Sequence, residues 1–151
     1  MAELDKRLLR WLPHRPPMLL LDRAVEVSAE AATAIVSITA ESPFYLASLG
    51  GVPSCIGLEY MGQTAALSDG WRREQGMVEP TIGFFLGCRS FTAHTDHFAL
   101  GDSLEVRAWG ATFVGDHLVN FSCAIHGASN GSELATGSLS VMLKPVEELS
   151  L

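Results

Sequence analysis

Glu59 is the residue of this sequence whose type and surroundings best suit proton transfer. It stands in an apolar stretch, and no Lys or Arg lies three or four positions away on either side. A buried carboxylic acid that lacks a basic partner tends to keep its proton, which suits a general acid. Gln63 lies one helical turn further on, where its amide can hydrogen-bond the carboxyl group and fix its orientation. Two other interpretations fit the same residues: a Glu at the solvent-facing edge of a helix, or a buried Glu that is satisfied by loop amides.

The segment that carries Glu59, residues 54–69 (SCIGLEYMGQTAALSD), predicts a long helix. It lacks a broad polar face, which is typical of a buried helix. Ser54 follows a proline and is the candidate N-cap, while helical character weakens at Asp69 and Gly70. We therefore expect a central helix that other parts of the chain surround.

The rest of the chain predicts a short helix before this central helix and strands on both sides of it. Runs of β-branched residues are separated by turns that contain Gly, Asp and Asn. Since the apolar helix must be covered, we expect an α+β fold in which a curved antiparallel sheet wraps around a long buried central helix. The predicted elements are a helix over 4–12, a hairpin of strands 18–27 and 31–40, an irregular loop over 41–53, the central helix, a strand over 81–92, and a meander of strands 103–114, 117–126 and 133–143.

The composition is typical of a globular protein that covers part of its surface with another subunit. The chain has 151 residues, of which 48% are hydrophobic and 18% are charged. That length suits a single domain over residues 1–151, and the low charge favours surface buried against another subunit. The formal net charge of −7 argues against general binding of nucleic acids, which needs a basic footprint.

The cysteines and the first residues of the sequence indicate the cellular compartment of the protein. Cys55, Cys88 and Cys123 form no C-x-x-C pair and lie at no zinc-ligand spacing, so we expect small buried thiols in a reducing compartment and no metal. The first residues carry mixed charge without an apolar stretch behind them, and no apolar run approaches the ~20 residues of a membrane span. We therefore expect a cytoplasmic protein without a signal peptide or a membrane span.

Four segments resemble, in the same order, those of the β-hydroxyacyl-acyl-carrier-protein dehydratases. Residues 12–23 (LPHRPPMLLLDR) resemble the LPHRxPxLLxDR opening of that family, and residues 53–63 (PSCIGLEYMGQ) resemble its PGxxxxEAMAQ helix. Residues 83–91 (GFFLGCRSF) and 100–104 (LGDSL) resemble its downstream strand and PGD turn. The form GLEYMGQ is most similar to a branch of short predicted dehydratases of aryl-polyene-type pigment pathways. The resemblance implies the hotdog fold.

The resemblance also implies a reaction and the residues that perform it. In the family, a His of one subunit removes the α-proton of a 3-hydroxyacyl thioester, and a Glu on the other subunit's helix protonates the leaving hydroxyl. An amide at the helix N-terminus polarises the thioester carbonyl. Glu59 matches that Glu and Ser54 matches the amide, while Cys55 and Gln63 flank the same face as candidate substrate contacts. The implied substrate is an acyl-carrier-protein or coenzyme A thioester, and the reaction needs neither a metal nor an organic cofactor.

The chain departs from the family at the catalytic His. The family places it in a GHFPG-type stretch before the helix, but residues 44–51 (FYLASLGG) are shorter and contain no His. Ser48 takes its position when the alignment starts at Pro43, and Tyr45 takes it when positions are counted back from Glu59. Ser48 and Tyr45 are therefore further candidate substrate contacts.

Three explanations for the missing His stay open. The first is that the chain pairs with a His-bearing paralogous hotdog subunit and supplies Glu59 to a composite site. The second is that His94 or His97 acts as an alternative base. The third is that the fold serves as an acyl thioesterase or as a non-catalytic acyl-carrier-protein-binding or scaffolding subunit. The expected assembly is a homodimer, or a heterodimer with such a paralogous subunit. His14 is interpreted as a structural residue that caps the first turn. Residues 71–73 (WRR) form a candidate basic patch for an acidic carrier protein.

Overall fold

The computed structural model describes residues 5–77, 81–115 and 117–145. A short 3₁₀ turn, Ser54–Ile56, leads into the long helix α2. The elements are α1 (Lys6–Trp11), β1 (Arg23–Val27), β2 (Ala32–Ser37), β3 (Gly51–Pro53), α2 (Gly57–Glu74), β4 (Thr81–Ala93), β5 (His97–Ala99), β6 (Ser103–Val114), β7 (Leu118–Gly127) and β8 (Glu133–Pro145).

Six strands form one antiparallel sheet in the order β1-β2-β6-β7-β8-β4. The expected hairpin is β1 with β2, and the expected meander is β6, β7 and β8. Both predictions are confirmed. The short strands β3 and β5 pair separately, and the sequence did not predict them because three residues are too few to show a period.

The sheet curves around α2, as expected. Alternate residues of β6 (Leu104, Val106 and Ala108) are at most 1% exposed, which is the period of a strand with one face on a core. Helix α2 contacts all six strands of the sheet and buries Met61 and Leu67 completely. The predicted buried central helix in a curved antiparallel sheet is therefore confirmed, while the assignment of residues 1–151 to one domain stays a prediction.

The first strand begins later than expected, at Arg23 rather than residue 18. The backbone groups of Met18 and Leu20 bond to the side chain of Gln63 instead of to a neighbouring strand. A segment whose amides and carbonyls are satisfied by a helix has no need to join the sheet.

The ends of the central helix also differ from the prediction. Ser54 is not the N-cap, because it lies inside the 3₁₀ turn and makes no capping bond. At the other end, the helix continues past Gly70 to Glu74. A Cβ atom on Gly70 would overlap the backbone of Trp11 and lie 2.6 Å from its carbonyl carbon. Gly70 is therefore the contact point of α1 on α2 and not a helix breaker.

This contact predicts that Gly70→Ala destabilises the fold. Alanine alone would favour the helix by about 1 kcal/mol, but overpacking against backbone atoms costs about 1–3 kcal/mol because α1 must move away. We expect a net loss in the free energy of unfolding, measured by urea denaturation. Gly87→Ala is the matched control, since no atom lies within 4 Å of its Cβ position. Equal stability of the two variants would contradict the close packing of α1 on α2.

Candidate active site

The first turns of α2 place Glu59 and Gln63 on one face, with the segment between α1 and β1 passing over it. Gln63 Nε2 donates to Glu59 Oε1 at 2.9 Å, so the hydrogen bond expected from the spacing of these residues is confirmed. The Glu59 side chain is 37% exposed. Its carboxyl group is therefore held at one oxygen and still open to a ligand.

Gln63 itself is completely buried and fully occupied. Besides Glu59, its Nε2 donates to the carbonyl of Met18 at 2.8 Å, and its Oε1 accepts from the N–H of Leu20 at 3.0 Å. Because the backbone N–H of Leu20 can only donate, the end of the Gln63 amide that faces it must be the oxygen. The amide nitrogen must then face Glu59, and the orientation of the carboxyl group is set by the chain before β1.

His14 is a neighbour of Glu59 that the sequence analysis missed. Its Nε2 lies 3.6 Å from Glu59 Oε1. Burial lowers the pKa of the His14 imidazole below its ordinary value, against the opposite pull of the Glu59 charge. The capping role predicted for His14 belongs instead to Arg15, whose guanidinium donates to the carbonyls of Leu9, Leu12 and His14. The position of His14 in the LPHR motif was the available signal.

The premise that made Glu59 stand out is wrong in part. Glu59 is neither fully buried nor without a basic neighbour, since its side chain is partly exposed and His14 lies beside it. Helical spacing alone does not reveal this neighbour, because it comes from a segment 45 positions earlier in the chain.

The backbone amide predicted to polarise a thioester is engaged in this structure. The N–H of Ser54 donates to the carbonyl of Asp96 at 3.1 Å. Recognition of a carbonyl by that amide would have to break this bond. Cys55, one residue further on, is exposed at the head of the helix.

The loop where the family has its His folds back on itself. Leu46 and Gly51 form a bridge, and the N–H groups of Leu49 and Gly50 return to the carbonyl of Leu46. Ser48 is exposed at the tip of this loop, and Tyr45 packs half-buried against the core. Within the described part of the chain, neither makes a hydrogen bond to Glu59, so their contact with substrate stays a prediction.

The alternative bases have other partners. His94 Nε2 lies 3.1 Å from Glu133 Oε1, and His97 Nδ1 lies 2.6 Å from Asp96 Oδ1. All five histidines fall within the described ranges, and among them it is His14 that forms a close pair with Glu59. The structure therefore does not bring His94 or His97 together with Glu59.

A cavity of about 540 Å³ opens beside Tyr60, the residue of α2 that follows Glu59. Tyr60 lines it, and burial raises the pKa of the Tyr60 phenol, with the charge of Asp22 acting in the same direction. Its volume lies in the range of small-molecule sites. The lining includes apolar residues of the segment before β1 and of β2, namely Leu19, Leu20, Leu21, Ile35 and Val36. It also includes polar and charged residues, namely Asp22, Arg23, Ser37, Thr39, Glu41 and Ser42.

The candidate basic patch at residues 71–73 is not formed as predicted. Arg72 is 3% exposed, donates to the carbonyl of Ala29 and lies 3.6 Å from Asp69 Oδ1. Arg73 pairs with the same carboxylate at 3.3 Å. Arg72 therefore holds the end of α2 to the β1–β2 turn and cannot face a partner.

The three cysteines differ in burial. Cys123 is buried, which raises the pKa of its thiol to about 12. Cys55 and Cys88 are exposed, so the expectation of buried thiols is right for Cys123 only.

In the described ranges, no group of three or more His, Cys, Asp or Glu side chains is arranged to hold a metal ion. No helix described here is both long and apolar enough to cross a bilayer.

Comparison with solved structures shows that the chain has the hotdog fold. The chain superposes on the dehydratase heterocomplex ApeI:P from Xenorhabdus doucetiae with a TM-score of 0.83 and 26% identity, covering 94% of this chain and 93% of that one. The E. coli PaaI protein of the phenylacetic acid degradation operon gives 0.60 and 13% identity, with 79% and 80% coverage, and supports the fold alone. The predicted hotdog fold is confirmed.

The family follows from a match over nearly the whole chain. Residues 7–150 match the ApeP-like family, described as ApeP dehydratase, and the chain belongs to that family. It is also 42% identical over 65 residues to the 3-hydroxyacyl-[acyl-carrier-protein] dehydratase FabZ of Polynucleobacter necessarius, and 46% identical over 59 residues to that of Pseudothermotoga lettingae. These matches cover 40% and 37% of this chain, and 44% and 42% of the length of those relatives. The resemblance to dehydratases is confirmed.

The bonds of Gln63 predict that Gln63→Leu destabilises the fold. The substitution leaves the buried N–H of Leu20 and the carbonyl of Met18 without their partner, and an unmet buried polar group costs about 1–3 kcal/mol. We expect that loss in urea denaturation. Gln75→Leu, at the exposed end of α2, is the control and should change stability little. Equal losses in the two variants would contradict the bridging role of Gln63.

The environment of His14 predicts a pH dependence of stability. Because burial lowers its pKa from 6.5 in the folded state, the unfolded chain binds a proton there more readily. This contribution to stability is present above that pH and is lost as the pH falls below it. Urea denaturation at about pH 7.5 and about pH 5 should show a smaller acid-induced loss in His14→Asn than in the wild type. An equal loss in both proteins would contradict the burial of His14.

Proposed function

We propose that this chain is the Glu-bearing subunit of a 3-hydroxyacyl-[acyl-carrier-protein] dehydratase, a hydro-lyase. The observation that carries the proposal is the carboxyl group of Glu59, which Gln63 holds by one oxygen at 2.9 Å while the side chain stays 37% exposed. Membership of the ApeP-like dehydratase family and the similarity to FabZ dehydratases support the same reaction. The pigment-pathway assignment stays a prediction.

The proposed elimination of water requires two proton transfers, one from the substrate to a base and one from Glu59 to the substrate. A base takes the α-proton of the 3-hydroxyacyl thioester, and the C–H electrons form the Cα–Cβ double bond. The Cβ–O bond breaks, and the departing hydroxyl takes the proton of Glu59 to leave as water. The products are a 2-enoyl thioester, a protonated base and the Glu59 carboxylate. Gln63 donates to that carboxylate and so stabilises the charge that Glu59 gains.

The base of the reaction is proposed to come from a paralogous His-bearing hotdog subunit. The loop over residues 44–51 contains no His, and His94 and His97 are paired with carboxylates elsewhere. The similar ApeI:P assembly is itself a heterocomplex. Strand β4 lies at the edge of the sheet, where unpaired backbone groups favour the addition of a second subunit.

The remaining assignments belong to the same proposal. The cavity beside Tyr60 is proposed to receive the acyl chain, whose thioester is carried by acyl carrier protein or by coenzyme A. A cytoplasmic location is supported by three cysteines that are free thiols. A thioesterase remains the second kind of enzyme to test, because structures of thioesterases share the fold at 12% to 13% identity.

The decisive assay measures dehydration of a 3-hydroxyacyl-acyl-carrier-protein by the chain alone and together with a co-purified His-bearing hotdog subunit. We expect little activity from the chain alone and full activity from the pair. In the pair, Glu59→Gln should lower kcat by about 10²- to 10⁴-fold, the usual contribution of a general acid. Glu30→Gln, an exposed residue at the β1–β2 turn, is the matched control and should keep the activity.

Three outcomes would overturn the assignment. Dehydration that survives Glu59→Gln would remove Glu59 from the reaction. Release of free carrier-protein thiol without formation of an enoyl product would identify a thioesterase. Binding of acyl carrier protein with neither product would identify a non-catalytic scaffolding subunit.

A further inference from the structure

The two oxygens of the Glu59 carboxyl group have different surroundings. Oε1 accepts the hydrogen bond from Gln63 and lies 3.6 Å from Nε2 of His14. Among the described residues, Oε2 receives no hydrogen bond. One oxygen of the carboxyl group is therefore engaged by the protein, while the other keeps its hydrogen-bonding capacity for a ligand.

His14 is held so that Glu59 is its polar neighbour. Arg15 donates to the carbonyls of Leu12 and His14 and fixes the turn that carries the ring. Nδ1 of His14 is buried and has no hydrogen-bond partner in the described part of the chain. The ring side chain is 27% exposed, so it still reaches solvent. One side of the imidazole thus meets Glu59, and the side chain also has a path to water.

We propose that His14 and Glu59 form a proton-sharing pair in which His14 supplies and restores the proton that Glu59 gives to the leaving hydroxyl. The inference rests on the proposed dehydratase function, because it assigns a role within that reaction. His14 acts through Glu59 and does not touch the substrate, so it is a positioning and proton-relay residue.

The proton balance of the relay is simple. Glu59 gives a proton from Oε2 to the departing hydroxyl and becomes a carboxylate. Once the product leaves and water returns, Nε2 of the neutral His14 takes a proton from solvent and donates it to Oε1, and a half-turn of the carboxyl group exchanges the two oxygens. His14 is then neutral again, and the pair is ready for the next substrate.

Desolvation explains why Glu59, and not His14, holds the proton while substrate is bound. Burial already favours the neutral form of His14. A thioester that covers the partly exposed Glu59 removes water from the pair, and loss of water disfavours an imidazolium facing a carboxylate. The neutral arrangement, with the proton on the carboxyl group, is then preferred while substrate is bound.

Few other charges act on this pair. Glu59, from α2, is the group whose charge shifts the titration of His14. Arg15 is the charged neighbour of His14 along the chain, but its guanidinium is turned to backbone carbonyls. Cys55 is the other titratable residue at the head of α2, four positions before Glu59. A change in the pH profile on replacing His14 is therefore attributable to the pair.

The first arm of the test needs no activity. The imidazole signals are titrated by NMR in the full chain, and the His14 signal is assigned by its absence in His14→Asn. In Glu59→Gln, the midpoint of His14 should fall by about one pH unit, because an opposite charge at this distance raises it. His117, an exposed residue, serves as the internal control. An unchanged His14 midpoint in Glu59→Gln would overturn the pair.

The second arm uses the complex with the His-bearing subunit. His14→Gln keeps a hydrogen-bond donor near Glu59 but cannot carry the proton. We expect kcat to fall by about tenfold or more at alkaline pH, with KM nearly unchanged and the basic limb of the profile moved to lower pH. His117→Gln should behave as the wild type. Full activity of His14→Gln across the pH range would show that His14 only orients Glu59 and would overturn the relay.

The two arms separate this inference from the function on which it rests. A complex that never dehydrates the substrate would refute the proposed function, and the NMR arm would still decide whether His14 and Glu59 titrate as a pair. A normal wild-type reaction with an unaltered His14→Gln profile would refute the relay alone.

Discussion

The side chain of Gln63 is the point on which the arrangement of this site depends. It is buried in the first turns of α2, and its amide bonds at once to the backbone of Met18 and Leu20 and to the carboxyl group of Glu59. A buried primary amide must use its donors and its acceptor or lose stability. The segment before β1 therefore lies over α2 because Gln63 holds it there, and the same bonds turn Glu59 toward His14. Fold and chemistry share one set of hydrogen bonds.

The sequence predicted the parts of the fold that a period can show. Long runs of strand-forming residues joined by turns indicated the meander of β6, β7 and β8, and the apolar stretch around Met61 indicated the buried helix. It failed where a tertiary contact replaced a local rule. Gly70 is a helix-breaking signal in isolation, but here it lets α1 approach α2. Residues 18–20 have the composition of a strand, but their polar groups bond to a side chain.

The site was predictable to the same extent. Glu59 and Gln63 are four residues apart, so helical geometry alone indicated their hydrogen bond. His14 lies 45 positions before Glu59, and no spacing rule connects them. The Ser54 amide was expected to be available to a ligand, but it donates to Asp96, which comes from a part of the chain beyond the helix. Neighbours brought together by the sheet have no signature in a single sequence.

The central claim is that the free oxygen of Glu59 faces the hydroxyl group of the substrate. The most direct measurement is a crystal structure of the complex with a His-bearing hotdog subunit and a non-hydrolysable 3-hydroxyacyl pantetheine amide bound. We expect the 3-hydroxyl within hydrogen-bonding distance of Glu59 Oε2, with Gln63 still donating to Oε1. A 3-hydroxyl that lies away from Glu59, with the α-carbon far from the partner's base, would contradict the claim.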